Sequence, residues 1–393
     1  MKFLFIANAA VGKGLSGSDR IFIELAKRWS ASGNTVEIAV WEDGFTMCER
    51  EGLNESAQNV TFYKWFIGRA TKFPFIINYI FRILSGIYYA LTINYQFLSE
   101  RESNTYIYSC SDFWQDAIPA LIIKARYPHA RLIGSFYLAA PNPFKGFYEG
   151  KKAQIPSLKG VTYYLQQLPI YALFKKYAYV VFVTSEPDAK RFTNTIVIRG
   201  GVNVEAAKRY TPTFSSENKK YDAIFLGRFH PQKGVLELLD IWAKVVSNKP
   251  DAKLIMLGDG PLMDAVISKK QMLHLENNVK LVGYLFDGEE KYNYYKNTKI
   301  AVHPAVYDSG GMAAAEAMAW GLPGISFDLE ALKTYYPKGM SKIPFANYDA
   351  FAQEILSLMS DKEKYSTLAK DARDLVLNEW DWDKRAEQII NKL

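Results

Sequence analysis

The chain has 393 residues, 49% of them hydrophobic and 23% charged, which excludes a disordered or fibrous protein and supplies core for two or three globular domains. Its two cysteines, Cys48 and Cys110, exclude a disulfide framework and fit a reducing compartment. The net charge of +7 is uneven: residues 1–200 hold 23 Lys and Arg against 15 Asp and Glu, and residues 201–393 hold 25 against 26. A basic first half points to an anionic partner, either nucleic acid or a membrane face, unless it is only a solvated surface. The basic residues form no run and no nucleic-acid recognition motif accompanies them, which argues against nucleic acid.

The N-terminal "KFLFIA" is too short an apolar run for a signal peptide and reads as a first strand. A loop with Gly12, Gly14 and Gly17 follows, in G-x-G-x-x-G spacing, ahead of the amphipathic "RIFIELAKRW". In a dinucleotide fingerprint the first glycine follows the strand at once and the third lies in the helix. Here several residues precede Gly12, and Gly17 falls where the helix begins, with Ser16 and Asp19 in a capping pattern. "TVEIAVW", "TYIYSC", "RLIGSF" and "YVVFVT" read as further buried strands. Between them, Phe73 to Leu98 carries a single charge, Arg82. It is long enough to span a bilayer, but strands of one sheet flank it, so a span is rejected. Two readings stay open for this aromatic-rich stretch: a buried helix, or a surface that leans on a membrane or lipid tail. "KGVTYYLQQLPIYALFKKYAY" adds a second stretch of that kind. Asp112 and Asp116 in "SCSDFWQDAIPA" sit at a strand end, where one would orient an acceptor hydroxyl or both would cap a helix.

The polar, proline-containing stretch from Tyr210 to Asp222 reads as the break between domains. It divides the chain into residues 1–210, 211–375 and a closing helix, 376–393, expected to pack back toward the first domain. After the break "YDAIFLG", "KLIMLG", "VKLVGY", "IAVHPA" and "GISFD" alternate with helical stretches. Alternating strands and helices in two series predict an α/β protein with two Rossmann-like domains of parallel sheet.

Chemistry concentrates in the second series. Arg228 and Lys233 flank a short loop after "YDAIFLG", at the sheet edge where open α/β sheets bind ligands, and beside a helix start. Two cations there suit an anion such as phosphate. In "HPAVYDSGGMAAAEAMAWGLP", Asp308 lies in a loop, glycines open a helix, and Glu316 lies further along it. Free amides at the helix start suit a phosphate, and a carboxylate at Glu316 suits ribose hydroxyls. Sugar, diphosphate and ribose in line describe a nucleotide sugar. Asp308 as a helix cap and Glu316 as a surface charge remain the plainer alternative.

The stretch "GRFHPQKGVLELLDIWAKV…DAKLIMLGDGP…VKLVGY…VHPAVYDSGGMAAAEAMAWGLPG" resembles the nucleotide-binding half of the family 4 retaining glycosyltransferases of the GT-B fold. That family has Glu-x7-Glu ahead of Ala-Met-Ala-x-Gly-x-Pro; this chain has Asp308-x7-Glu316 ahead of "AMAWGLP". The resemblance implies two Rossmann-like domains facing a cleft, and transfer of a hexose from a UDP-sugar, with GDP-mannose as the next choice. It implies that Arg228 and Lys233 hold the donor diphosphate and neutralise the leaving group, without a metal or cofactor. Glu316 would bind ribose, Asp308 the donor sugar, and the backbone of Gly310, Gly311 and Met312 the sugar and phosphates. The base would lie near Gly283 and Tyr284. Gly17 matches the loop the family turns toward the donor phosphates, which sets aside a dehydrogenase. One departure stands out: where the family commonly places a His after the fourth or fifth strand, this chain has Tyr137 and Leu138 in "GSFYLAAPNPF".

Acceptor contacts are expected in the first half, with Asp112, Asp116 and Tyr137 as candidates. The acceptor implied is a glycan or a polyprenyl-linked sugar, reached by a cytoplasmic enzyme resting on the anionic membrane face. The rival class is a non-catalytic nucleotide-sugar-binding protein on the same scaffold.

Overall fold

A computed structural model describes the chain except residues 11–14, 55–58, 67–73, 101, 103, 145–157 and 309. Gly12 and Gly14 therefore lie outside the described residues. The chain forms two compact units, one built from Met1–Pro143, Ile155–Arg199 and Asp383–Leu393, the other containing Gly200–Trp382.

The first unit is a sheet of seven parallel strands in the order β3-β2-β1-β4-β5-β6-β7. They are β1 (Lys2–Ile6), β2 (Thr35–Trp41), β3 (Val60–Phe66), β4 (Thr105–Ser109), β5 (Arg131–Phe136), β6 (Val180–Val183) and β7 (Thr195–Val197). Alternation along β1 divides its side chains between two faces. Leu4 and Ile6 face the helices Phe75–Thr92, Trp114–Arg126 and Leu158–Tyr177, whose Ala90, Ile123 and Phe174 share their core. Phe3 and Phe5 pack instead on Trp29 with tilted rings, centroids 4.5 and 5.8 Å apart. The Trp29 ring N–H donates to the Ala386 carbonyl at 3.1 Å, which fixes the last helix on this face.

The helix Gly17–Ala31 starts where the sequence places it. Ser16 Oγ accepts the Asp19 N–H at 3.2 Å and Asp19 Oδ2 accepts the Ser16 N–H at 2.9 Å, a reciprocal cap that satisfies two orphan amides.

The second unit has six parallel strands in the order β10-β9-β8-β11-β12-β13. They are β8 (Tyr221–Leu226), β9 (Leu254–Leu257), β10 (Val279–Gly283), β11 (Thr298–His303), β12 (Gly324–Phe327) and β13 (Met340–Ile343). Strand order reverses between β1 and β4 in one sheet and between β8 and β11 in the other. Crevices at such reversals, outside the carboxyl ends of the strands, are where open α/β sheets take ligands.

The carboxyl edge of the second sheet is built by backbone contact. Gly234 has φ +65, and a Cβ there would lie 1.9 Å from the Pro304 carbonyl oxygen. The turn Pro231–Lys233 after β8 thus sits directly on the loop after β11, and the Val306 N–H donates to the Gln232 carbonyl at 2.9 Å. Gly234→Ala is expected to lower the thermal midpoint and cost about 2–4 kcal/mol, since it combines a left-handed backbone with a collision against main chain. Gly33→Ala, at φ +84 with open space around its Cβ, is expected to cost about 1 kcal/mol. Equal midpoints for the two variants would refute the contact.

Candidate functional site

The turn after β8 carries Arg228, exposed, and Lys233, half-buried. The loop after β11 carries Asp308, which is buried. Lys233 Nζ reaches Asp308 Oδ2 at 2.6 Å, so the two loops are joined by charge as well as by backbone. His303, the last residue of β11, is almost wholly buried and places Nε2 2.8 Å from the same oxygen. The other oxygen, Oδ1, accepts the N–H groups of Gly310 and Gly311 at 3.2 and 3.1 Å. Burial pushes the Asp308 carboxyl up, but the Lys233 charge and the His303 ring outweigh it and hold the group well below the ordinary carboxylate range.

Asp308 is not the cap of the helix Met312–Met318, whose N-cap is Gly311 without a side-chain bond; it holds the turn ahead of that helix and neutralises Lys233. The two glycine amides expected to face a phosphate are donors to Asp308 in this structure. Ser309 lies outside the described residues. Gly311 needs its freedom: φ is +63, and a Cβ would press on His303 Nε2 and the Tyr336 hydroxyl, which itself donates to the Gly311 carbonyl at 2.7 Å. Met312 lies against Gly200, where a Cβ would fall 2.2 Å from its sulfur.

Glu316 lies on the same short helix and is ion-paired with Lys291 of the helix Glu289–Lys296. The Tyr295 hydroxyl donates to the same carboxylate at 3.2 Å, and Lys291 also reaches Asp287 at 3.0 Å. Lys291 is only 7% exposed, so this is a built pair and not a surface charge. Gly283 ends β10 with φ +87, and nothing lies within 4 Å of where its Cβ would be. Its carbonyl accepts the Gly258 N–H at 2.8 Å, and Gly258 lies in turn against the Gly227 carbonyl at the end of β8. Tyr284 follows, edge-on to Phe286 at 4.9 Å.

Lys233, Asp308, Gly310 and Gly311 are thus in direct contact, Gly283 connects through Gly258 to the turn after β8, and Glu316 extends the group along its helix. The sequence reading missed His303, Lys291, Tyr295 and Tyr336. Only His303 left a trace, as the residue closing "IAVH" five positions before Asp308; the others come from distant turns of chain.

The remaining candidates belong to the first unit. Asp116 is buried and accepts the Ala9 N–H at 2.7 Å and the Ser111 hydroxyl, bridging the ends of β1 and β4. Burial pushes its carboxyl up to about 7. Neither Asp112 nor Asp116 is the cap of the helix Trp114–Arg126, whose N-cap is Phe113. Asp112 accepts from Gln167 Nε2 at 2.7 Å, and burial raises it to about 6. Tyr137 follows β5 directly, and its hydroxyl meets Tyr108 and Ser135 in the interior.

Residues 208–375 match the family described as Glycosyl transferases group 1. The chain is similar to the glycosyltransferase MJ1607 of Methanocaldococcus jannaschii, 27% identical over 171 residues, and spans 43% of both lengths. It is similar to the glycosyltransferase MJ1059 of the same organism, 24% identical over 322 residues, 75% of this chain and 74% of the relative. The structure superposes on S. aureus TarM, crystallised with fondaparinux, alpha-GlcNAc-glycerol and UDP, with a TM-score of 0.72. That match covers 100% of this chain and 99% of TarM at 12% identity, so it shows the fold. Two Rossmann-like parallel-sheet domains of GT-B type, as expected from the sequence, are therefore present.

Two carboxylates with opposite shifts give opposite pH dependence. Asp308 is depressed, so its contribution is present above the ordinary carboxyl value and is lost as pH falls below it. Asp308→Asn is expected to cost about 2–3 kcal/mol at pH 7 and less at pH 3, because it strands Lys233. Asp116 is raised, so its penalty grows as pH climbs from about 4 through 7. Asp116→Asn is expected to gain in thermal midpoint on the native chain as pH rises from 5 to 8. Unchanged differences across those ranges would contradict both assignments.

Proposed function

Residues 208–375 match the glycosyl transferases group 1 family, and from that match we propose that the chain is a retaining, metal-independent hexosyltransferase of the family 4 type. The donor proposed is a UDP-sugar, with GDP-mannose second, and the acceptor a hydroxyl of a glycan or polyprenyl-linked sugar. The carrying observation is the Lys233–Asp308 contact across the reversal of strand order, with Arg228 on the same turn and Glu316 on the helix that follows. UDP in the complex of the structurally similar TarM supports the choice of nucleotide.

In this reading the diphosphate lies over the turn after β8, where Arg228 and Lys233 offset its charge. The bond between the anomeric carbon and the diphosphate oxygen breaks, and its electron pair leaves with the diphosphate. The acceptor oxygen bonds to the same face of the sugar, and its proton passes to the departing phosphate oxygen. The side chains act chiefly through electrostatics aimed at the leaving charge. Asp308 meets the sugar, and its present hydrogen bonds to Gly310 and Gly311 hold that loop ready. Glu316 takes ribose hydroxyls once Lys291 shifts toward Asp287, which it already contacts.

A second reading, a non-catalytic nucleotide-sugar-binding protein, draws on Tyr137, whose hydroxyl is turned inward at the position where family members commonly carry a His.

The test is proton NMR of the protein with UDP-glucose, UDP-N-acetylglucosamine, UDP-galactose or GDP-mannose in EDTA. Release of nucleoside diphosphate with the α-anomer appearing first is expected for one donor. Lys233→Ala is expected to lower kcat by about 10²–10³. A donor bound yet intact after hours would favour the binding protein, and release of the β-anomer would overturn retention.

A further inference from the structure

We propose, on the donor-site reading above, that Lys291 determines which nucleotide sugar ring the site accepts. Its ammonium donates to the 2′-hydroxyl oxygen of a ribose whose hydroxyl proton Glu316 accepts, and the site thereby selects ribonucleoside over 2′-deoxyribonucleoside diphosphates.

The first observation is one ammonium shared by two carboxylates. Asp287 Oδ1 accepts from Lys291 Nζ at 3.0 Å, and Glu316 Oε2 accepts from the same nitrogen. Replacing a buried ion pair by apolar side chains is often neutral or stabilising, so stability alone gives little reason for a lysine here. Removing one partner of such a pair is costly, because the other charge is left buried and alone. Asp287 prevents that outcome: when Glu316 turns to a ligand, the ammonium keeps a carboxylate. Glu316 is the outer member of its pair, with its side chain 20% exposed against 8% for Lys291. A ligand that reaches the carboxylate therefore meets the ammonium just beneath it.

The second observation is that packing fixes Lys291 against Glu316. Asp287, Lys291 and Tyr295 are spaced four residues apart, which puts them on one side of the helix Glu289–Lys296 and its lead-in. Tyr292 and Tyr295 pack on Trp320, four residues beyond Glu316, with ring centroids 4.9 and 6.1 Å apart. The Tyr295 hydroxyl donates to Glu316 Oε2 at 3.2 Å, and burial pushes that hydroxyl well above its ordinary value, so it stays a donor.

A ribose hydroxyl both donates and accepts. A carboxylate takes its proton but offers nothing to its oxygen; carboxylate and ammonium together satisfy both. A 2′-methylene set against the same pair displaces water from two charges and returns no hydrogen bond. Sites built to hydrogen-bond a hydroxyl reject the analogue that lacks it far more strongly than apolar pockets reject an extra methylene. UDP- and GDP-sugars both carry this hydroxyl, so the pair does not choose between them. A thymidine diphosphate sugar lacks it and is rejected.

The experiment is calorimetric titration of UDP and 2′-deoxy-UDP into the full native chain, Lys291→Met and Lys291→Gln, with thermal midpoints to check that each is folded. The native chain is expected to bind UDP at least about tenfold more tightly than 2′-deoxy-UDP. Each variant is expected to weaken UDP at least about fivefold and to leave 2′-deoxy-UDP within about twofold. A native preference below about threefold overturns the proposal and leaves the diphosphate site standing. Equal weakening of both nucleotides in the variants also overturns it, because a loss of packing or of general charge acts on both alike. Failure of the native chain to bind either nucleotide overturns the donor-site reading, and this proposal with it.

Discussion

The ion pair between Lys233 and Asp308 crosses the point where strand order reverses, and the rest of the site depends on it. Asp308 is buried, so its charge is tolerable only because Lys233, His303 and two glycine amides surround it. In exchange it fixes two loops whose main chains already touch at Gly234 and Pro304. The first unit repeats the device: Asp116, after β4, takes an amide from Ala9, after β1. Burial dominates there, and its carboxyl rises accordingly. The same topology thus carries a carboxylate held low in one sheet and one pushed up by burial in the other.

Ten of the thirteen strands were legible as apolar runs, the edge strand β10 among them; three were not. β3, β7 and β13 are all sheet edges. β3 alternates buried and exposed residues along "VTFYKWF", and β7 and β13 have only three and four residues. Exposed positions along β3 interrupt the continuous apolar run of an interior parallel strand, and β7 and β13 are too short to show one.

At the site, residue types at fixed spacing were legible and their partners were not. Asp308, Glu316, Arg228 and Lys233 stand in short motifs next to strand ends. Lys291 and Tyr295 reach Glu316 from a helix more than twenty residues away, a pairing made only by the fold. The stretch from Phe73 to Leu98 was ambiguous for a different reason. Its composition fits a buried helix or an interfacial one, and sequence alone does not say where its single arginine points. Arg82 turns inward to the loop after β1 and leaves the outward face without charge.

The account rests on the second sheet's edge as a nucleoside diphosphate site, and calorimetric titration of UDP into the native chain, Lys233→Ala and Asp308→Ala tests that most directly. Saturable binding by the native chain, weakened at least tenfold in Lys233→Ala and less in Asp308→Ala, is the predicted result. Failure of UDP, GDP and ADP alike to bind, or equal affinity for the native chain and Lys233→Ala, would contradict it.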